Sequence, residues 1–337
     1  MSTIRDVAKL ADVSTATVSR VLNKDMTYKM TDETRKRVLD AVQTLDYQFH
    51  EQKRRLDTSV RKQDNVKLGC VLSVTRKKYD DPYFMSILSA IESRLGEKGL
   101  YISYIRNGAE LENEGVLASI SKEHIDGMIL MENLDDEAYS YLHHLIPHIV
   151  GIDTKHRDID NVGYDHIEAA TIAVEHLLKR GKREIGFIGG HGNEKSISCS
   201  QRYKGYYLAM MKVGLPLNPK WIIDCDWDEE TCEQRVDQLC KSGELPSAFF
   251  AASDLMAMAA LNALHKNNIE VPKQVAVVGI SDIEVSKYSY PPLSTVHVPV
   301  NEIGVIAADM LVARLNGYEL IPQRIVLPTE LVAREST

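Results

Sequence analysis

Apolar residues recur at helical spacing through the first 45 positions. Ile4, Val7, Ala8 and Ala11 share one face, Val18, Val21 and Leu22 a second, and Val38, Ala41, Val42 and Leu45 a third. The pattern predicts three short helices. Thr3 caps the first, with Asp6 reaching back from three residues on, Asp12-Val13 is a turn, and Ser14 caps the second. The third starts near Thr31, where Asp32 and Glu33 suit the positive helix end.

Beyond a polar, basic stretch at 48–65 the pattern changes. Strand-like runs at 67–74, 101–106, 127–131 and 148–152 alternate with helical stretches at 83–98, 112–121 and 135–144. A second series follows: helix 167–179, strand 184–189, helix 201–213 and, after 221–225, helix 229–241, strand 248–251, helix 255–266 and strand 275–280. Residues 293–337 add a helix at 301–315 and two short strands. Such alternation implies parallel sheets covered by helices on both faces. The expected class is α/β: a three-helix helix-turn-helix head (1–47), a basic hinge or linker (48–65), and a body (66–337) of two doubly wound α/β subdomains. A cleft between two such subdomains would hold ligands at the carboxyl ends of strands.

The second helix leaves Thr15, Ala16, Ser19, Arg20 and Asn23 outside. Small hydroxyls, a methyl, one Arg and one Asn suit a major groove, where Arg reads guanine, Asn or Thr reads adenine and a methyl packs on thymine. The bland alternative is a helical hairpin with a merely solvated face. Thr3, Ser14 and Thr17 join the candidate DNA contacts, as do Arg54, Arg55 and Leu56 in the hinge.

Net charge is −8, which at first argues against nucleic acid. The charge is divided, however. Residues 1–62 hold 13 Lys/Arg against 9 Asp/Glu, net +4, and the rest holds 27 against 39, net −12. A basic head on an acidic body concentrates phosphate attraction at one end. The five cysteines, Cys70, Cys199, Cys225, Cys232 and Cys240, include no Cys-x-x-Cys, and the spacing of the last three does not fit common zinc sites, so buried reduced thiols are expected. No apolar leader core and no long apolar window occur, so a cytoplasmic protein away from membranes is expected.

Gly189-Gly190-His191-Gly192 lacks the spacing of a dinucleotide fingerprint or a P-loop and is expected to be a strand-to-helix loop, with no cofactor. No Gly-x-Ser-x-Gly elbow is present, and His143, His144 and His148 have no zincin partner, so neither an enzyme nor a metal site is expected.

Asp6-Val7-Ala8, Val13-Ser14, Thr17-Val18-Ser19-Arg20-Val21-Leu22-Asn23 and Thr34-Arg35-Lys36-Arg37-Val38 resemble the signature of the lac/gal repressor family of bacterial transcription regulators. The resemblance continues through Val277-Val278-Gly279, Pro291-Pro292-Leu293-Ser294-Thr295-Val296 and Gly304. It implies a periplasmic-binding-protein-like body with discontinuous subdomains, 66–162 plus 292–322 and 163–291 plus 323–337. It also implies a hinge helix on operator DNA, with Leu56 wedged into the minor groove. This chain departs there, with Phe49 and His50 where Pro and Asn are usual and Lys53 where Ala is usual.

A sugar needs carboxylates and amides for its hydroxyls, a guanidinium fork and an aromatic face. Candidates at strand ends or just beyond are Asp153, Arg202, Trp227, Ser253 and Asp282, with Asp81 and Tyr83 from the first loop. Arg202 matches the family arginine that holds ligand hydroxyls, and Trp227 a family aromatic at the cleft rim. Ser253 stands where many relatives have Asn, and Ser281 where Asp or Asn is frequent.

These residues imply a homodimeric repressor of a pseudo-palindromic operator, released by a small sugar through rotation of the subdomains. The loops around Asp81-Pro82-Tyr83 and Val278–Ile283 are similar to those of galactoside-responsive members, which makes galactose or a galactoside the expected effector. No leucine heptads follow Arg334, so a dimer is expected rather than a coiled-coil tetramer. Two alternatives stay open: a purine or phosphocarrier-protein corepressor, and, less favoured because of the DNA head, a transport sugar-binding protein.

Overall fold

The computed structural model describes residues 4–22, 31–45, 66–72, 81–131, 133–192 and 195–337. The chain divides into two compact units, Met1–Lys62 and Gln63–Thr337. The expected hinge at 48–65 lies outside the described residues.

In the first unit, α1 (Ile4–Leu10), α2 (Thr15–Leu22) and α3 (Asp32–Thr44) enclose Val7, Ala8, Ala11, Val18, Val21, Val38 and Ala41, with Val13, Val42 and Leu45 packed against them. These are the apolar stripes of the sequence. Asp12 takes the left-handed conformation (φ 50°) that lets the chain turn between α1 and α2. Ser14 Oγ then accepts from the Thr17 N–H at 3.1 Å, and Thr31 Oγ1 does the same for Thr34 at 3.3 Å.

The second unit holds two six-stranded sheets. The first runs β11-β5-β4-β3-β1-β2 and is parallel at every pairing: β1 (Leu68–Leu72), β2 (Ile102–Asn107), β3 (Gly127–Met131), β4 (His148–Ile152), β5 (Asp160–Tyr164) and β11 (Arg324–Leu327). The second runs β12-β10-β9-β8-β6-β7: β6 (Ile185–Gly189), β7 (Ile222–Asp224), β8 (Ala248–Ala251), β9 (Ala276–Ser281), β10 (Ser294–His297) and β12 (Glu330–Val332). Only β12, antiparallel to β10, breaks its parallel order. Runs such as LGCVL, GMILM and AFFA are apolar at every position because both sheet faces are covered, and every residue in them is buried.

The covering helices are α4 (Pro82–Gly96), α5 (Glu114–Glu123), α6 (Asp136–Leu145), α7 (His166–Lys179), α8 (Gln201–Lys212), α9 (Glu229–Ser242), α10 (Asp254–Lys266) and α11 (Val300–Leu315). Side chains of Asp81, Asn113, Asp135, Asp165, Asp228 and Ser253 cap α4, α5, α6, α7, α9 and α10. Helix α11 packs on α4 and on β3, β4 and β5, whereas α7 packs on α8 and on β9, β10 and β12.

The chain passes between the two halves after β5, after β10 and after β11, and each passage corrects an expected boundary. The first half keeps β5 through Tyr164 instead of ending at 162. Residues 294–297, expected in the first half, pair with β9 in the second, and residues 324–327, expected in the second, pair with β5 in the first. The chain leaves each sheet only where a strand's ladder is complete, and Pro299 and Pro328 stand just beyond two of these strands, where a missing N–H costs no pairing.

Strand β5 itself was not foreseen, because Asp160-Asn161-Val162-Gly163-Tyr164 does not look apolar. Its polar groups are satisfied locally. Arg314 forks onto Asp160 (2.6 and 2.8 Å), and the Asn161 amide bonds the Thr154 carbonyl (3.0 Å) and hydroxyl. Three thiols, Cys70, Cys225 and Cys232, are buried, while Cys199 and Cys240 are half-buried and all five are free. Burial pushes the Cys70 thiol up to about 12.

Candidate functional site

The outer face of α2 is the first candidate. Thr15, the first residue of the helix, is exposed, and Thr17 is half-buried. Ser14 is exposed, but its hydroxyl holds the Thr17 N–H and meets the Thr17 hydroxyl at 3.0 Å, so this pair builds the cap. Ala16, Ser19 and Arg20 belong to the same helix. Thr3, Asn23, Arg54, Arg55 and Leu56 lie outside the described residues.

The second candidate lies at the carboxyl edges of the two sheets, and the structure gathers most of the expected ligand residues there. Asp81 caps α4 by accepting from the Tyr83 N–H at 2.9 Å. Burial, reinforced by Glu229, raises its pKa, and the Tyr83 N–H and the Arg202 charge act in the other direction. The Tyr83 hydroxyl reaches Asp153 at 3.5 Å. Asp153 follows β4 in a left-handed conformation (φ 54°), which turns its carboxylate across β5. There it accepts from the Tyr164 N–H (3.2 Å) and pairs with His166 (3.3 Å). The Tyr164 ring stacks on His166 at 4.1 Å, and its hydroxyl accepts from Arg202 Nη2 (2.7 Å) and Nε (3.3 Å). The Arg202 guanidinium also lies 5.4 Å from the centre of the Trp227 ring.

Trp227 is held in place by an unusual turn. Asp226 and Trp227 are consecutive non-glycine residues with positive φ, 45° and 58°. Each costs about 1–3 kcal/mol of local strain that the surroundings must offset. Asp224 Oδ1 accepts from the Asp226 N–H (3.2 Å), and its Oδ2 meets His191 Nδ1 at 2.9 Å. Gly190 is glycine for a packing reason: a Cβ there would lie 2.6 Å from both the backbone nitrogen and Cδ1 of Trp227. The glycine-rich segment is thus a strand-end loop shaped around an aromatic ring.

Ser253 and Asp282 fall into a separate group at the carboxyl edge of the second sheet. Ser253 caps α10 through the Met256 N–H (3.3 Å). Asp282, also left-handed (φ 56°), gives one carboxylate oxygen to Arg334 Nη2 (2.6 Å) and the other to His297 Nδ1 (3.1 Å). Beside it Asp254 is fully buried, accepting from the Thr295 hydroxyl (2.5 Å) and the Ile283 N–H (3.0 Å). Burial pushes its pKa up to about 6.

Sequence reasoning missed Tyr164, His166, Thr295, His297 and Arg334. The first two end or follow the unforeseen β5. The others come from β10 and from the segment after β12, which only the sheet order places beside β9.

The chain's 3–49 match the model of bacterial regulatory proteins, lacI family, and 174–337 match the periplasmic binding protein-like domain. Over its full length the chain is 32% identical to the HTH-type transcriptional repressor PurR of Actinobacillus pleuropneumoniae serotype 3 (strain JL03), covering 98% of it. It is 33% identical to the HTH-type transcriptional repressor MelR of Bacillus subtilis (strain 168), covering 97%. Among solved structures, the transcriptional regulator CelR–cellobiose complex matches over 100% of both chains with a TM-score of 0.72 and 27% identity. The lac repressor dimer bound to operator and the anti-inducer ONPF matches over 99% of this chain and 98% of that one, with a TM-score of 0.70 and 24% identity, and supports the fold.

Proposed function

Because the chain belongs to the lacI family of bacterial regulatory proteins, DNA-binding transcriptional repressors with a ligand-binding body, we propose that its effector is a small sugar, galactose or a galactoside, whose binding releases operator DNA. The observation that carries this is Arg202, set between the Trp227 ring and the Tyr164 hydroxyl and within the field of the Asp81 carboxylate. A guanidinium fork beside a carboxylate and an aromatic face matches the vicinal hydroxyls and C–H face of a pyranose. The solved relative with cellobiose bound supports the sugar class. The chain is not an enzyme, and the grouped carboxylates and guanidinium bind and orient rather than react.

In the DNA head, Thr15, Ala16, Ser19, Arg20 and Asn23 read bases and Thr3, Ser14 and Thr17 contact the DNA beside them, while in the hinge Leu56 wedges into the minor groove with Arg54 and Arg55 next to it. In the body, Asp81, Tyr83, Asp153, Arg202 and Trp227 form the effector pocket, and Asp282 and Ser253 frame its second wall. The site of action is the cytoplasm, where the operator is.

The relatives named PurR favour a second reading, a purine corepressor that strengthens operator binding instead of releasing it. Calorimetric titration of the full chain with galactose, lactose, cellobiose, sucrose and the purine bases decides between them. The sugar reading expects saturable heat with galactose or lactose. Heat with a purine base alone would replace it with the second reading.

A further inference from the structure

Arg202 turns onto Tyr164 the very donors with which it would hold a ligand. Its Nε and Nη2 form one edge of the guanidinium, suited to two adjacent oxygens, yet both point at a single phenol oxygen, at 3.3 and 2.7 Å. The two residues belong to different halves of the body. Tyr164 ends β5 of the first sheet, and Arg202 lies in the first turn of α8, which packs on α7 and β6 of the second half.

The phenol is firmly positioned. The residue is 5% exposed, and its ring stacks on His166 at 4.1 Å with an interplanar angle of 14°. His166 is paired with Asp153, which also accepts from the Tyr164 N–H. The guanidinium also lies 5.4 Å from the centre of the Trp227 ring.

We propose that Tyr164 is a specificity-determining residue that stands in for the ligand. Its hydroxyl occupies the Arg202 fork, ties the first half to the second, and must be displaced for the effector to bind. The inference rests on the reading of Arg202 as an effector contact. Two donors sharing one oxygen are bettered by two parallel bonds to two oxygens, so the exchange favours ligands with vicinal acceptors. A ligand offering one oxygen only replaces what Tyr164 already supplies. The same exchange breaks a direct bond between the halves, which couples ligand recognition to their arrangement.

Two measurements on the full chain test this. The first needs no effector. Wild type and Tyr164→Phe are treated with phenylglyoxal, which condenses with guanidinium nitrogens, and modification of each arginine is followed by peptide mass mapping. Removing the hydroxyl should speed Arg202 labelling about tenfold to a hundredfold, the range of one hydrogen bond to a charged donor. Arg314, locked on Asp160, should keep its rate and report that the fold is intact. Tyr164→Leu, which also lacks the hydroxyl, should behave alike and serves if the Phe variant does not fold. An unchanged Arg202 rate overturns the proposal.

The second measurement is calorimetry with galactose and lactose. Affinity for whichever binds should rise by a similar factor in Tyr164→Phe, whereas a tyrosine that merely lines the pocket would give equal or weaker binding and overturn the proposal. If neither sugar binds wild type, the sugar reading fails by itself, and the labelling result still decides the role of Tyr164.

Discussion

Asp254 sets the sign of one pH response. Its folded pKa of about 6 lies above the ordinary 3.8, so between those values the folded chain holds a proton that the unfolded chain releases. Stability from this group is therefore present at low pH and lost as pH rises through that window, by about 3 kcal/mol in full. Asn at this position does not titrate, and it can donate to the Thr295 hydroxyl while accepting from the Ile283 N–H. The expected outcome for Asp254→Asn is a folded protein whose stability, relative to wild type, grows by roughly that amount from pH 4 to pH 6.5. Urea denaturation at several pH values measures it, and parallel curves would show that Asp254 is not the titrating group. His176 acts oppositely. Burial lowers its pKa, with Arg180 and Lys179 adding to the effect, and its Nε2 bonds the Thr337 hydroxyl at 2.7 Å. Its contribution is complete above the ordinary histidine range and declines as pH falls below it. The residue scale is also where the sequence was hardest to read. Arg202 and Trp227 could be picked out by their match to the family pattern, but the partner of Arg202 could not. Nothing in Tyr164-Asp165-His166 signals that a polar strand ends there against Asp153. Nor does the sequence reveal that both oxygens of Asp282 are already held by Arg334 and His297, since Arg334 follows the last strand.

Elements were far more legible, because caps and periodicity are local. Most helices and strands lie within one or two residues of the expected ends, and the Ser14 cap is the one anticipated. What failed was membership, since which sheet receives β10 or β11 depends on long-range pairing. The helix pair α4 and α11 shows how such pairing is fixed. A Cβ on Gly304 would lie 2.7 Å from the Ile87 carbonyl oxygen and from the Ala90 Cβ, so only glycine admits this approach. Gly304→Ala should destabilise the body by about 1–3 kcal/mol through overpacking. Gly96→Ala, whose Cβ would meet nothing within 4 Å, should be neutral or stabilising by up to about 1 kcal/mol. Denaturation midpoints of the two variants check the contrast, and equal effects would mean that the α4–α11 contact is not the constraint. For α2 the expectation is chemical. Thr15 opens the helix on its exposed side and Ala16 follows it, so exchanging both should change the preferred operator bases, at about 1–3 kcal/mol per base pair. Binding-site selection with the double variant reads this directly, and an unchanged site would remove both from base reading.

At the scale of the whole molecule, charge and topology divide the labour. The net positive charge lies in residues 1–62 and the negative charge in the remainder, so phosphate attraction belongs to the head and ligand chemistry to the body. A dimer is the expected assembly, so light scattering of the full chain should give the dimer mass, with a stable tetramer in dilute solution as the contrary result. Within the body three passages connect two similar halves, and the Arg202–Tyr164 bond joins them directly at the proposed pocket. The central claim is that an effector held by Arg202 controls DNA binding made elsewhere in the chain. Its most direct test is operator affinity of wild type and Arg202→Ala, each measured with and without galactose and lactose. The account predicts nearly equal operator affinity for the two proteins without sugar, release of wild type by sugar, and no release of Arg202→Ala at the same concentration. Release of Arg202→Ala at the wild-type sugar concentration would contradict it.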